Sequence, residues 1–476
     1  MTALTEKIYF KAPYVLKKQF ASAHAAKLDR SCFGPEYRRI ASEIERRNHW
    51  SSQQFRNYQV RQLITLLHHA VHNVPYYRQA YKTTRAQPDK INHLDDITRL
   101  PILEREIVRS DPVSLLDETL NPKKLIKLHT SGTTGTPLTL FRNIWLNSAA
   151  RAYFDVRCRA LAGVKRKQNP SVSIGGHIVT DPNRTTPPFW VLNKRWKQLY
   201  MSSYHLAPDF LGSYIDEIRT FQPDYIEGYP SSVYALARFI LENNLPAIPL
   251  KACFTTAETL FTHQRHAIRK AFACDTWDQY GCGEMAVFAA QCPHGAMHLS
   301  PEYGIVEVLD QNDQPLPTGQ TGQLVCTSLI NRVQPFIRYR LGDVGSLSDQ
   351  SCLCQSPLPI LAQIQGRMDD TLVTQDGKQI GRLDPVFKNT AGIIEAQIVQ
   401  NDYHRFLIRV VPDKQYNQRH ADTLIDNLAR RTGQADIRIE LVDKIERTAA
   451  GKFKAVICNV PRQNQASAKI PAPTHT

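Results

Sequence analysis

Short strands alternate with amphipathic helices from about residue 125 onward. The segment Asp224–Gly228 is a predicted strand, a turn follows at Tyr229-Pro230, and Ser231 is positioned to cap a helix with one apolar face. Leu250–Thr255 and Thr276–Tyr280 are further predicted strands that end in loops. Such units predict an α/β fold with a largely parallel sheet, in which ligands bind at the carboxyl edge of the strands.

The regions before and after these units are predicted to have other secondary structure. Residues 1 to about 120 are predicted to be mainly helical, and Pro75 ends their clearest helix. That helix carries an apolar stripe of Val60, Leu63, Ile64, Leu67, Val71 and Val74. Farther along, Gly304–Asp310 and Gln323–Ser328 are predicted to form a β-hairpin around a polar turn.

A second, smaller domain is predicted to begin near Gly366. Its probable strands are Ile393–Gln400 and Phe406–Val411, and Ala421–Arg431 is its probable helix. We therefore predict a large N-terminal domain over residues 1–365, a small α+β C-terminal domain over 366–460, and a disordered polar tail over 461–476.

Length and charge limit the classes of function. The chain has 476 residues and a formal net charge of +15, but its Lys and Arg residues are scattered and accompany no zinc-finger, helix-turn-helix or RNP-like pattern. The chain has no apolar run of about 18 residues and no secretory signal. We expect a cytoplasmic protein without a transmembrane segment or a nucleic-acid partner, whose positive surface suits phosphate-rich or anionic substrates.

The most informative stretch is Thr130–Pro137, a loop rich in Ser, Thr and Gly. Its two glycines allow a sharp turn, and its amide and hydroxyl groups can surround a polyphosphate. It is not a Walker A sequence, because no Gly-Lys-Ser/Thr follows. Taken alone, such a loop is more often an ordinary turn.

This loop resembles the TSGTTG-x-P signature of the adenylate-forming superfamily, which includes acyl-CoA synthetases, luciferases and nonribosomal adenylation domains. The family's other motifs follow in order at Thr256–Leu260, Asp278–Glu284, Tyr339–Asp343, Gly366–Asp370 and Arg447–Lys452. The resemblance implies a large adenylation domain, a small mobile C-terminal domain that rotates about Asp369, and ATP with Mg²⁺ as cofactors. It further implies an enzyme that joins ATP and a carboxylic acid into an acyl-AMP.

The resemblance also assigns roles to individual residues. Lys452 is implied as the mobile catalytic lysine, and Glu284 as the second catalytic residue and the ligand of Mg²⁺. Tyr280 is expected to stack near the adenine, Asp343 to bind the ribose hydroxyls and Arg367 to lie near the ribose and phosphate. The remaining nucleotide-binding positions are Thr130, Ser131, Gly132, Thr133, Thr134, Gly135, Ala257, Glu258 and Gly281.

Three cysteines and a histidine form a second candidate site. Cys292 and His298 are followed much later by Cys352 and Cys354, and three thiolates with one imidazole are a standard tetrahedral zinc set. The two halves lie farther apart than in zinc fingers, so free thiols are the alternative. The resemblance to the bacterial capsular-polysaccharide CapK family, whose members carry such a set at these places, favours a structural zinc ion.

The branch of the superfamily bears on the acceptor. His72–Tyr77 and Asp95–Ile102 resemble the phenylacetate-CoA ligase branch, whereas Glu227–Ser231 and Leu372–Asp384 resemble CapK proteins. The last segment departs from the CoA-ligase pattern, which favours transfer to an amine or hydroxyl acceptor, and the CapK resemblance implies a role in surface-polysaccharide biosynthesis. An aryl- or acyl-CoA synthetase using CoA and a non-catalytic nucleotide-binding scaffold stay open as alternatives.

Two further expectations concern the acyl and acceptor sites. His177 and His205 fall in loops of the predicted site domain and are candidates for a general base. Plausible wall residues of the acyl pocket are Tyr204, His205, Tyr229, Ala257 and Met285.

Overall fold

A computed structural model of the chain divides into two compact units. The first comprises Met1–Ile364 with Arg447–Phe453, and the second comprises Gln365–Glu446 with Lys454–Thr476. The structure describes residues 9–10, 12–84, 86–129, 138–181, 184–367, 372–373, 379–380, 383, 386, 392–432, 435–448 and 453–460.

The N-terminal part of the first unit is mainly helical, as predicted. The helix Ser52–Asn73 begins with a reciprocal capping box between Ser51 and Gln54, and it buries Leu63 and Leu67. Pro75 does begin a new helix directly after it, because proline is well tolerated in a first helical turn. The helices of this unit are Tyr14–Cys32, Pro35–Arg47, Ser52–Asn73, Pro75–Thr84, Arg105–Ser110, Ile144–Phe154, Pro208–Phe221, Pro230–Glu242 and Thr262–Phe272.

The strands of the large sheet are β3 Ser171–Gly175, β4 Trp190–Asn193, β5 Gln198–Ser202, β6 Tyr225–Gly228, β7 Ala252–Thr256, β8 Thr276–Gly281, β9 Phe288–Gln291, β10 Met297–Leu299, β11 Gly304–Leu309, β12 Gly322–Ser328, β13 Tyr339–Ser348 and β14 Ile360–Arg367. They form one 12-stranded sheet in the order β11-β12-β13-β14-β10-β9-β8-β7-β6-β3-β5-β4. Strands β5, β3, β6, β7 and β8 run parallel, and β4 and β9 pair antiparallel at the two ends of this parallel group.

The α/β class and the predicted strands are confirmed, with one local correction. The hairpin of β11 and β12 is antiparallel as expected. The helix after β6 begins at Pro230, with Tyr229 as its N-cap residue, so the expectation that Ser231 caps it is wrong. The backbone N–H of Ser231 instead donates to the Glu258 carboxylate, a long-range cap that no local pattern reveals.

One face of the parallel strands carries one of the apolar cores of the unit. Val172, Leu199 and Ile226 are fully buried there. They pack with side chains of the helices Pro208–Phe221 and Pro230–Glu242, such as Ile215 and Leu236. This layer fixes the strands, and the carboxyl ends of β6, β7 and β8 therefore lie side by side.

The second unit has a sheet of its own. Its strand order is β19-β18-β17-β20, with β17 and β18 antiparallel and the outer strands parallel to their neighbours. The helix Gln418–Thr432 contributes Leu424 and Leu428 to the core of this unit. The strands are β17 Ile393–Asp402, β18 Arg405–Pro412, β19 Asp436–Leu441 and β20 Val456–Cys458, beside the short pair β15 Leu372–Val373 and β16 Gln379–Ile380.

Among the described residues, no helix is both long enough and apolar enough to cross a membrane.

Candidate active site

The carboxyl ends of three neighbouring parallel strands bring several predicted site residues together. Gly228 of β6 pairs with Thr255 of β7, and Thr256 pairs with Gln279 of β8, so the strand ends are level. Ala257 and Glu258 directly follow β7, and Tyr280 and Gly281 end β8. The residues that follow these strands therefore share one edge of the sheet, where open α/β sheets bind ligands.

Glu258 is held by two backbone N–H donors. Ser231 N, in the first turn of the helix Pro230–Glu242, lies 3.0 Å from Oε2, and Phe453 N lies 2.7 Å from Oε1. Burial raises the pKa of Glu258 in spite of these bonds. Phe453 is the chain neighbour of Lys452, which itself lies outside the described residues. The described end of this segment thus contacts the predicted nucleotide site.

Tyr280 and Asp343 meet although 63 residues separate them in sequence. The Tyr280 hydroxyl donates to Asp343 Oδ2 at 2.5 Å, across from β8 to β13. Burial, and then the charge of Asp343, raise the pKa of Tyr280. An ionised carboxylate offers about four acceptor positions, so Asp343 can accept this bond and still bind ribose hydroxyls.

Glu284 is almost completely buried, at 3% exposure. Its Oε1 accepts a hydrogen bond of 3.0 Å from the Tyr339 hydroxyl and lies 3.9 Å from Arg105 Nη1. A buried carboxylate needs such partners or a metal ion to stay ionised. The arrangement fits the predicted role in binding Mg²⁺, in which the cation would supply charge neutralisation between the phosphates.

Two non-glycine residues beside these carboxylates adopt left-handed backbone conformations. Ala257, which precedes Glu258, has φ +71°, and Met285, which follows Glu284, has φ +59°. Each such residue costs about 1–2 kcal/mol relative to glycine. Strain of this kind persists where the surrounding structure fixes a functional geometry.

Some predicted residues lie outside the described part of the chain. These are Thr130–Gly135 and Lys452, and also the hinge residue Asp369; for Arg367 the backbone is described as the end of β14 but the side chain is not. The strands that flank the Thr130–Pro137 loop, β1 Ile126–His129 and β2 Thr139–Arg142, pair as an antiparallel hairpin.

The structure adds residues that the sequence did not single out. Arg142 at the end of β2 donates through Nη2 to the Gly283 carbonyl at 2.5 Å, which links the hairpin of the Thr130–Pro137 loop to the Glu284 segment. Arg105 and Tyr339 contact Glu284 directly. Tyr339 could have been identified from the sequence, because it begins the motif that ends at Asp343. Arg105 and Arg142 belong to none of the sequence motifs.

The three cysteines and the histidine form one compact cluster. Their candidate ligand atoms lie within 4.8 Å of one another. Cys292 Sγ is 3.6 Å from Cys352 Sγ, and Cys354 Sγ is 3.2 Å from His298 Nε2. A tetrahedral zinc ion with Zn–S bonds of about 2.3 Å separates its sulfur ligands by about 3.8 Å. The donor set therefore fits zinc, and the sulfur–sulfur distance is too long for a disulfide.

The other nitrogen of His298 strengthens this fit. Nδ1 lies 3.0 Å from the Leu358 carbonyl oxygen, which accepts from an N–H at this position. Such a bond fixes the tautomer and leaves Nε2 with its lone pair directed at the cluster, as in known metal sites.

The two candidate bases have different environments. His205 is buried, and its Nδ1 lies 2.8 Å from Ser202 Oγ. Its ring stacks on that of Phe189, with the ring centroids 4.5 Å apart. His177 is exposed, and its ring meets Tyr200 edge-on at 5.9 Å. An external acceptor can therefore reach His177 more readily than His205.

The residues expected to line the acyl pocket also divide into accessible and buried ones. Tyr204, Tyr229 and Ala257 keep solvent-accessible surface, whereas Met285 and His205 are buried. Met285 packs in the apolar core beside the helix Ile144–Phe154.

Comparison with known proteins confirms the resemblance drawn from the motifs. Residues 372–459 match the family model of the CapK C-terminal domain. The chain is 29% identical to protein CapK of Staphylococcus aureus over 82% of its own length and 86% of that protein. It is 27% identical to phenylacetate-coenzyme A ligase of Pseudomonas putida over 67% of its length and 72% of that enzyme.

Solved structures agree at the level of the fold. The crystal structure of 2-hydroxyisobutyryl-CoA ligase in the postadenylation state with R3-HIB-AMP covers 87% of this chain and 92% of that chain, with a TM-score of 0.67 and 21% identity. The same ligase in the thioesterification state matches with a TM-score of 0.55. The chain thus has the fold of adenylate-forming ligases.

The left-handed conformation of Ala257 gives a stability prediction. Ala257→Gly should raise the free energy of unfolding by about 0.5–1 kcal/mol, because glycine removes the Cβ strain at a partly offsetting entropic cost. Ala23→Gly, on an exposed face of the helix Tyr14–Cys32, should instead lower it by about 1 kcal/mol. Denaturant unfolding measures both, and equal losses in the two variants would contradict the strain argument.

Proposed function

We propose that the chain is an ATP-dependent, AMP-forming ligase that activates a carboxylic acid as its acyl-AMP and passes the acyl group to an amine or hydroxyl acceptor. The observation that carries this proposal is the hydrogen bond between Tyr280 and Asp343, in a fold shared with adenylate-forming ligases. These two residues come from segments 63 residues apart, and Glu258 follows the strand that neighbours Tyr280.

The chemistry requires neutralisation of charge, since a carboxylate must attack an anionic α-phosphate. In this proposal Asp343 binds the ribose and Tyr280 lies against the adenine. Glu284 would hold Mg²⁺, which would neutralise phosphate charge. Lys452 would contact the α-phosphate and the attacking carboxylate oxygen, and the 2.7 Å bond between Phe453 N and Glu258 supports its segment being at this edge.

We also propose a structural zinc ion in the cluster of Cys292, His298, Cys352 and Cys354. The support is the spacing of the ligand atoms and the hydrogen bond of His298 to Leu358. With four protein ligands the site is closed, which is typical of structural rather than catalytic zinc.

The choice of acceptor rests on the C-terminal unit. Residues 372–459 match a CapK-type domain, and the likeness to CapK extends over more of the chain than the likeness to phenylacetate-CoA ligases. An amine nucleophile is mostly protonated near neutral pH, so a base is required. His177 is the candidate for that base, because it is exposed and an external acceptor can reach it. The CapK resemblance suggests surface-polysaccharide biosynthesis as the setting.

Lys452→Ala should slow adenylation by at least about a hundredfold, the scale of a lost transition-state contact. Transfer from a supplied acyl-adenylate should suffer much less, because the family resemblance implies that the lysine has left the site by then. ATP–pyrophosphate exchange and single-turnover transfer measure the two steps. Lys454→Ala is the matched control and should leave exchange nearly unchanged; equal losses in both steps for Lys452→Ala would contradict the assignment.

Purified protein should contain about one zinc ion per chain, by the tetrahedral argument. Cys352→Ser should release it and lower the melting temperature, with a smaller effect on the adenylation step. Cys458→Ser is a control, because its side chain lies outside the cluster and donates instead to Gln400 Oε1 at 3.3 Å. Metal analysis of reduced protein that finds no zinc would rule out the site.

The acceptor is tested with the best acid, ATP, and either CoA or a panel of amines and sugars in parallel. We expect an amide or ester product and little thioester. Efficient thioester formation without any amide or ester would favour the acyl-CoA synthetase alternative. Absence of pyrophosphate exchange with every acid would favour a nucleotide-binding scaffold.

A further inference from the structure

The parallel strands β3, β5 and β6 have two chemically different faces. Ser173 pairs in register with Tyr200 on β5 and with Glu227 on β6. Residues paired in this way point to the same side of a sheet, and the next residues point to the other side. The other side carries Val172, Ile174, Leu199, Met201 and Ile226, which belong to the apolar core.

The polar face consists of two rows that differ in exposure. Ser171, Gln198 and Tyr225 form the inner row and are at most 3% exposed. Ser173, Tyr200 and Glu227 form the outer row, nearer the carboxyl edge, and each keeps some accessible surface. The outer row therefore lines a partly open site on the same sheet edge as the candidate nucleotide-binding residues.

The charge in this row is already balanced by the protein. Glu227 accepts from the buried guanidinium of Arg159 and from Gln198 Nε2 at 3.2 Å. Arg159 also binds Asp155, and Arg166 binds Asp155 as well, so two guanidinium groups balance two carboxylates. Glu227 is consequently a fixed acceptor that has no unbalanced charge, and its oxygens can accept additional hydrogen bonds from a ligand.

We propose that the acid this chain activates carries hydroxyl or amino groups, which hydrogen-bond to Ser173, Tyr200 and Glu227, and is not a plain alkyl or aryl acid. The inference rests on the proposed function. Its physical basis is that an apolar acyl chain laid on this row would remove water from three polar side chains and offer them no hydrogen bonds in exchange. Sites built to hydrogen-bond a substrate reject analogues that lack the bonding group far more strongly than apolar pockets reject an extra group.

The test compares acids of equal carbon number in ATP–pyrophosphate exchange. The three-carbon set is propionate, lactate and alanine, and the six-carbon set is hexanoate, gluconate and ε-aminocaproate, with phenylacetate as the aryl acid. In at least one set the hydroxyl or amino member should have a kcat/KM at least about tenfold above its unsubstituted partner. Comparison of lactate and gluconate with alanine and ε-aminocaproate distinguishes recognition of a hydroxyl group from recognition of an amino group.

Variants then connect this preference to the polar face. Ser173→Ala and Tyr200→Phe should each reduce the preference ratio by about tenfold. Tyr214→Phe removes a hydroxyl on the opposite face, where it donates to the Ser202 carbonyl at 2.8 Å, and should leave the ratio unchanged. A ratio of two kcat/KM values is unaffected by partial loss of folded enzyme.

Two results would overturn the inference while leaving the proposed function intact. One is exchange with hexanoate, propionate or phenylacetate that equals or exceeds exchange with the substituted acids. The other is an unchanged preference ratio in both Ser173→Ala and Tyr200→Phe. Exchange with no acid at all would overturn the proposed function, and this inference with it.

Discussion

The ion pairs of the buried Arg159 guanidinium are the interactions on which the polar face of β3, β5 and β6 depends. Arg159 is 1% exposed, and it binds Asp155 within the π-helical turn Asp155–Arg159 and Glu227 at the end of β6. Its carbon Cζ also lies 4.0 Å from the ring centroid of Phe154. Removing one partner of a buried ion pair costs about 3–5 kcal/mol, because the other charge is left unpaired. The helix Ile144–Phe154 is therefore fastened to the sheet beside Glu227 at the carboxyl end of β6.

The same network explains how polar residues can line the interior of this unit. Burial pushes the pKa of Asp155 upward, but Arg166 and Arg159 outweigh it and hold that pKa at about 2. The Tyr37 hydroxyl donates to the same carboxylate at 2.7 Å and so connects the helix Pro35–Arg47. With these charges paired, the face of β3, β5 and β6 that carries Ser173, Tyr200 and Glu227 can be polar while the other face of these strands forms an apolar core.

Sequence patterns predicted the elements well and the contacts between them poorly. The strands β6, β7 and β8 and the β11–β12 hairpin followed from local periodicity and turns. The start of the helix at Pro230 did not, because its cap is the carboxylate of Glu258, far away in sequence. The order of the motifs placed Tyr280 and Asp343 in one site, but not the bond between them. Glu227 belongs to a CapK-like segment, but no sequence pattern pairs it with Arg159, which lies in the π-helical turn after the helix Ile144–Phe154.

The candidate metal cluster lies beside a short pairing in the large sheet. In the described residues, the registered pairing of β10 with β14 is the single pair His298–Ile360, supported by a bond of 2.8 Å from Leu299 N to the Pro359 carbonyl. Strands β9, β10 and β14 separate Tyr280 on β8 from Asp343 on β13. A slip of one residue at so short a pairing would invert the facing of every side chain along the slipped strand.

A metal ion would remove that freedom. His298 lies on β10, Cys292 directly follows β9, and Cys352 and Cys354 lie in the loop that leads into β14. Four ligands from these segments on one tetrahedral ion fix the register of β9, β10 and β14 together. The separation of Tyr280 and Asp343 is set across those strands. A closed metal site without any chemical role would therefore help to bring Tyr280 and Asp343 to hydrogen-bonding distance.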